Sequence, residues 1–156
     1  MKKNWWLVLI VSILIIALVS FLGNIFTSQG TDSAWFQEIR PSITPPNFVF
    51  PIAWTIIFTL IALSLFFAWI SAKNRKEKEK IALVFGLNFV FNVLWSLFYF
   101  ALKLPVLAFV DIILVWVTAL LMILTTRKIN KAAMWMLVPY ILWLTFAAIL
   151  NLLSFI

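Results

Sequence analysis

The sequence predicts an all-α membrane protein, a bundle of five transmembrane helices. Two observations carry that reading. Of the 156 residues, 65% are hydrophobic, against roughly 45–50% in an average soluble protein. These residues are also gathered into five runs, each near the ~20 residues that cross a ~30 Å hydrocarbon core. Only 11% of residues are charged, less than half the usual share of about 25%, so a soluble globular enzyme is excluded first. The runs are apolar all round, whereas a β-barrel would alternate over ~10-residue segments. Backbone groups in lipid are satisfied within the segment, so each run is a helix.

The expected spans are residues 5–26, 47–72, 81–102, 105–126 and 132–155, in one domain covering 1–156. The first follows Met1-Lys2-Lys3 like a signal peptide. It is longer than an apolar h-region of about 7–15 residues, and no small-x-small cleavage site follows it. In the second and fourth, Pro51 and Pro105 lie near helix starts, where proline is tolerated. The third carries Asn88, Asn92, Trp95 and Tyr99 at i, i+4, i+7 and i+11, one stripe of a helix, with Ser96 beside it. The fourth contains Asp111, roughly 9 Å inside its start. The fifth contains Pro139, which removes one backbone hydrogen bond, and a stripe of Tyr140, Trp143, Ala147 and Asn151.

Charge sets the orientation. With the N-terminus inside, the inner side holds ten cations: Lys2, Lys3, Lys73, Arg75, Lys76, Lys78, Lys80, Arg127, Lys128 and Lys131. The outer side then holds only Arg40 and Lys103. This bias predicts N-in and C-out. It also explains the net charge of +7 as headgroup contact rather than as a nucleic-acid surface.

The long connection is the outer loop 27–46, which carries Arg40-Pro41-Ser42-Ile43-Thr44-Pro45-Pro46. Three prolines favour extended backbone, so the loop is stiff. It either caps the outer end of the bundle or simply stops one helix and starts the next.

The chemistry available is narrow. With no histidine and no cysteine, disulfides, thiolate chemistry, strong axial iron ligation and the usual zinc sites are absent, so no metal site is expected. What remains is aromatic and amide. Trp54, Trp95, Trp116 and Trp143 lie well inside the spans, although tryptophan prefers interfaces. Buried indole N–H groups need acceptors. Three helices thus carry faces of aromatics and amides, which should converge: Trp54 and Phe58 on one, Asn92, Trp95 and Tyr99 on another, Trp143 and Asn151 on the third. Asp111 costs on the order of 2–3 kcal/mol to insert on translocation scales and faces the bundle interior. It serves either as a polar anchor in a ligand cavity or as a helix–helix hydrogen bond. The whole arrangement is either an aromatic-walled pocket opening toward the outer half or a tightly packed aromatic core.

These residues resemble the translocator protein family, also known as tryptophan-rich sensory proteins or peripheral benzodiazepine receptors. The run from Trp35-Phe36 through Arg40-Pro41, Pro45-Pro46 and Val49-Phe50 to Trp54 is similar to that family's loop signature. So are Asn88, Asn92, Trp95 and Ser96 to Phe100, and Pro139-Tyr140, Trp143, Phe146, Ala147 and Asn151. The resemblance covers nearly the whole chain. It implies a five-helix bundle, often a homodimer, in a prokaryotic cell membrane. It also implies an intramembrane receptor, carrier or sensor for tetrapyrroles such as protoporphyrin IX and for benzodiazepine-type ligands, with no obligatory cofactor.

By position, the resemblance places Pro45, Trp54, Phe58, Asn92, Trp95, Ser96, Tyr99, Trp143 and Ala147 at the ligand, with Asp111 matching an acidic position of bacterial relatives. Arg40 stands where lysine is usual. Arg40 and Lys103 are candidates for a porphyrin's propionates, or else snorkel to headgroups. The C-terminal helix lacks the tyrosine and arginine of the sterol-recognition pattern. An alternative function is a porphyrin-degrading enzyme using Trp54 and Trp143 in light- and oxygen-dependent chemistry, although no acid–base pair or metal site supports ordinary turnover.

Overall fold

The computed structural model describes residues 4–156, so Lys2 and Lys3 lie outside the described residues. The chain forms α1 (Trp5–Thr27), α2 (Ala34–Ile39), α3 (Val49–Ser71), α4 (Arg75–Ser96), α5 (Pro105–Ile129) and α6 (Lys131–Leu153), with no strand among the described residues. A π-helical turn, Leu97–Ala101, extends α4 to a span of 27 residues. The spans of α1, α3 and α6 have 23 residues each and that of α5 has 25, enough to cross a bilayer at about 1.5 Å per residue.

Local chemistry explains where the helices begin. α4 starts at Arg75 rather than at 81, because Asn74 Oδ1 accepts the Glu77 N–H at 2.9 Å. The Glu77 carboxylate in turn accepts the Lys73 N–H at 2.7 Å. That reciprocal cap carries the helix through the charged run 75–80 before its apolar part begins. Asn130 caps α6 through the Ala133 N–H at 3.1 Å and donates to Ser71 Oγ at 2.9 Å, which joins the ends of α3 and α6. Pro105 opens α5 at its first position.

The five long helices close a ring in the order α1, α3, α6, α5, α4 and back to α1. One end of the bundle, the basic face, carries the 72–74 turn and Asn130. The other, the loop face, carries residues 28–48 and the 102–104 turn. Trp5 meets Phe66 at the basic face, edge to face at 6.5 Å. Ile61, Ala68, Ile81, Phe85, Met122, Ala133, Leu137 and Leu144 fill the centre. α1 is the most peripheral span. It buries Ser12, Ile16 and Val19 and exposes Ile10, Val11, Ile13, Leu14, Leu18 and Phe21, the surface that lipid would solvate.

Polar side chains tie the ring together. Asn88, fully buried, donates to Val115 O and to Thr118 Oγ1, both at 3.0 Å. Its Oδ1 accepts the Tyr140 hydroxyl at 2.9 Å, and that hydroxyl accepts from Asn92 Nδ2 at 3.1 Å. Ser64 Oγ donates to Ala133 O at 2.8 Å, joining α3 to α6. In lipid such bonds draw helices together where apolar burial cannot.

The loop is more structured than prolines alone predict. Ser33 caps the short α2 by accepting the Phe36 N–H at 3.2 Å. α2 presses Phe36 against Tyr99 and Phe100, with centroids at 6.5 and 5.6 Å. Gly30 is buried against Phe100. The connection therefore packs onto the end of α4 and covers part of the loop face.

Candidate functional site

The predicted aromatic faces form two clusters rather than one. The first lies on the α3–α6 seam. Trp54 stacks on Phe58 at 5.1 Å and meets the edges of Tyr140 and Trp143, each at 6.4 Å. Trp143 also meets Phe50 at 5.9 Å and Phe146 at 5.7 Å. Trp54, Phe58 and Trp143 are half-buried and packed against the central core, so the rings turn inward rather than toward acyl chains. Ala147, one turn beyond Trp143, is half-buried too. Phe50 was named from sequence within the loop signature but not among the residues placed at the ligand, although it stands four before Trp54 and so shares its face.

The second cluster lies at the end of α4. Trp95 stacks on Tyr99 at 5.3 Å and 19°, and Trp35 closes on Tyr99 from α2 at 5.8 Å. Trp95 Nε1 donates to Asn151 Oδ1 at 3.0 Å, while Asn151 Nδ2 donates to Pro105 O at 2.8 Å. One amide thus joins α4, α5 and α6. Ser96 is buried, and the ideal Cβ of a side chain at Gly23 would lie 3.6 Å from its Oγ. Asn92 stands between the clusters: it belongs to the α4 stripe and donates to Tyr140, whose ring touches Trp54.

Three buried polar atoms among the described residues have no hydrogen-bond partner: Thr44 Oγ1, Asp111 Oδ2 and Trp143 Nε1. Native proteins leave few such groups, and each calls for an explanation. Asp111 is 4% exposed, and one of its buried carboxylate oxygens has no partner. Trp95 is served by Asn151, and Trp116 Nε1 by Thr145 Oγ1 at 2.9 Å. Trp143 alone of these three points its N–H at nothing.

The loop-face cations differ from each other. Arg40 donates to Pro45 O at 3.2 Å and to Asn47 Oδ1 and Gln37 Oε1 at 3.4 Å each, and its guanidinium lies 5.6 Å from the Phe36 ring centre. It clamps the proline loop onto α2, with Pro45 half-buried beneath it. Lys103 is exposed, in the left-handed region at φ 56°.

In this structure the rings occupy the seam by touching one another. Two surface concavities, about 380 and 340 Å³, are lined by Leu104–Val110 residues and by the 72–78 turn, with none of the cluster tryptophans in either. No group of three His, Cys, Asp or Glu that could hold a metal occurs among the described residues.

The fold and site together define a multi-pass integral membrane protein whose interior is stitched by amides and whose α3–α6 seam is walled by aromatic rings. The model of the TspO/MBR family matches residues 11–155, and the chain belongs to that family. It is similar to the tryptophan-rich protein TspO of Archaeoglobus fulgidus, 35% identical over 146 residues, 92% of each chain. It is similar also to the tryptophan-rich protein TspO of Bacillus cereus, 37% identical over 121 residues, covering 77% of this chain and 78% of that one. The human translocator protein is 25% identical over 133 residues, 84% of this chain and 78% of its own.

Proposed function

We propose that this protein is a membrane receptor, carrier or sensor for flat apolar molecules of the tetrapyrrole class, with protoporphyrin IX as the representative ligand and benzodiazepine-type compounds as further probes. The observation that carries the reading is the unused indole N–H of Trp143, buried within the Phe50–Trp54–Phe58–Phe146 cluster. Stacked rings offer a large apolar surface, and one unpaired donor offers orientation, which is the usual composition of a small-molecule site. Because the rings are in mutual contact, ligand entry separates Trp54 from Trp143 and inserts between them. The Arg40 clamp and the docked α2 support a lid role for the loop. The bias of basic residues toward the 72–80 and 127–131 face supports a cytoplasmic position for that face and for the N-terminus.

Titration of protoporphyrin IX by tryptophan quenching, in detergent and in the dark, tests this. Trp54→Phe and Trp143→Phe each raise Kd by about tenfold, since each removes one stacking face or the donor. Unchanged affinity in both variants refutes the seam as the site.

A further inference from the structure

We propose that the loop-face end of α5 holds one anionic phospholipid, with an acyl chain in the notch lined by Leu104, Pro105, Val106, Leu107 and Val110 and the phosphate on Lys103. The notch measures about 380 Å³ and is open to the side of the bundle. Its residues occupy the first two turns of a span, the depth at which the upper methylenes of a lipid lie.

The charge beside it is specific. Arg40 and Lys103 are the Lys and Arg residues of the loop face among the described residues. Arg40 has committed its guanidinium to Pro45, Asn47 and Gln37. Lys103 makes no side-chain hydrogen bond or ion pair and is exposed. Lys103 immediately precedes Leu104, the first residue lining the notch, and the backbone there is fixed. Leu102 N–H donates to Leu97 O at 2.9 Å and Leu104 N–H to Phe98 O at 2.8 Å, which holds Lys103 at φ 56° between them. A lysine in this conformation carries a backbone cost that glycine avoids. α5 then begins without a side-chain cap, so its positive end adds to the lysine's charge. An apolar slot next in the chain to an uncommitted cation complements a lipid that is anionic at the head and apolar below it. The second concavity, at the 72–78 turn, has polar walls and lacks that apolar floor.

The test uses the full chain, delipidated in detergent and then offered phosphatidylglycerol or phosphatidylcholine, with retained lipid counted by native mass spectrometry. The intact protein retains phosphatidylglycerol about fivefold better, the effect of one lysine near an anionic headgroup. Lys103→Gly removes the charge and suits the φ, so the fold persists while the preference falls about fivefold from that of the intact protein, the basic face contributing equally to both. Val110→Trp fills the notch on a lipid-facing position and lowers retention of phosphatidylglycerol without lowering the melting temperature. Equal retention of the two lipids by the intact protein overturns the proposal, as does a preference that Lys103→Gly leaves unchanged. Displacement by inorganic phosphate as effective as by lipid overturns it too, because the notch would then contribute nothing. So would a Val110→Trp variant that changes oligomer mass and leaves lipid retention intact.

Discussion

Gly30→Val should detach the 28–48 connection from the bundle. A Cβ at Gly30 would lie 2.8 Å from Phe100 Cβ, and 2.9 Å from both Phe100 Cδ1 and the Phe100 carbonyl oxygen. A side-chain carbon alone can rotate away, but a backbone oxygen within the π-helical turn 97–101 cannot. Phe100 is held by the π-helical turn 97–101, whose own backbone bonds fix Leu102 and Leu104. The loop must therefore give, and Phe36 and Trp35 leave Tyr99 with it. Forcing carbon into closed packing costs about 3 kcal/mol, a loss readable as a lower melting temperature in detergent. Limited proteolysis locates the loss: cleavage within 28–48 accelerates, while the spans stay protected. Gly86→Ala is the control. Nothing lies within 4 Å of a Cβ built there, and alanine in place of glycine within a helix is worth roughly 0.5–1 kcal/mol in favour. If Gly30→Val melts with the native protein, the contact with Phe100 is not what docks the loop.

The second large effect is expected at the polar centre. Tyr140→Phe removes a hydroxyl that donates to Asn88 Oδ1 and accepts from Asn92 Nδ2. Two buried amides each lose a partner, at a cost of about 1–3 kcal/mol, toward the low end in a membrane where the unfolded chain also finds partners. Asn88→Ala removes the same bond from the other side, together with the ties to Val115 and Thr118. Because the two residues share one hydrogen bond, the double variant is less damaged than the sum of the singles, with coupling of about 0.5–1.5 kcal/mol. Additive losses would mean that Tyr140 acts through its ring against Trp54 and not through its hydroxyl.

Much of this architecture is legible in the sequence for a physical reason. In lipid a span has one backbone solution, so length and apolar composition define the five helices directly. The stripes were legible too. Asn88, Asn92 and Tyr140 do meet, because an amide inside a span has nowhere to turn except toward another polar group. What eluded the pattern were features set by contacts between elements. The helix α2 rests on Phe36 meeting Tyr99 and Phe100, residues some sixty positions away in the chain. The early start of α4 rests on a cap at Asn74, hidden in a run that reads as charged loop. Convergence of three aromatic faces was expected to form one wall. The ring order instead places α3 beside α6, so Trp54 and Trp143 share a seam while Trp95 stacks with Tyr99 elsewhere. Asp111 has an oxygen without a partner, while the indoles of Trp95 and Trp116 donate to Asn151 and Thr145, acceptors that the helix stripes alone do not pair with them.

The most direct test of the seam as a ligand site is a fluorine NMR spectrum of the protein labelled with 5-fluorotryptophan, recorded with and without protoporphyrin IX. Separation of Trp54 from Trp143 by an inserted ring moves those two resonances and leaves Trp69 and Trp135, toward the basic face, in place. Shifts confined to Trp69 and Trp135, or no shift at saturating porphyrin, contradict it.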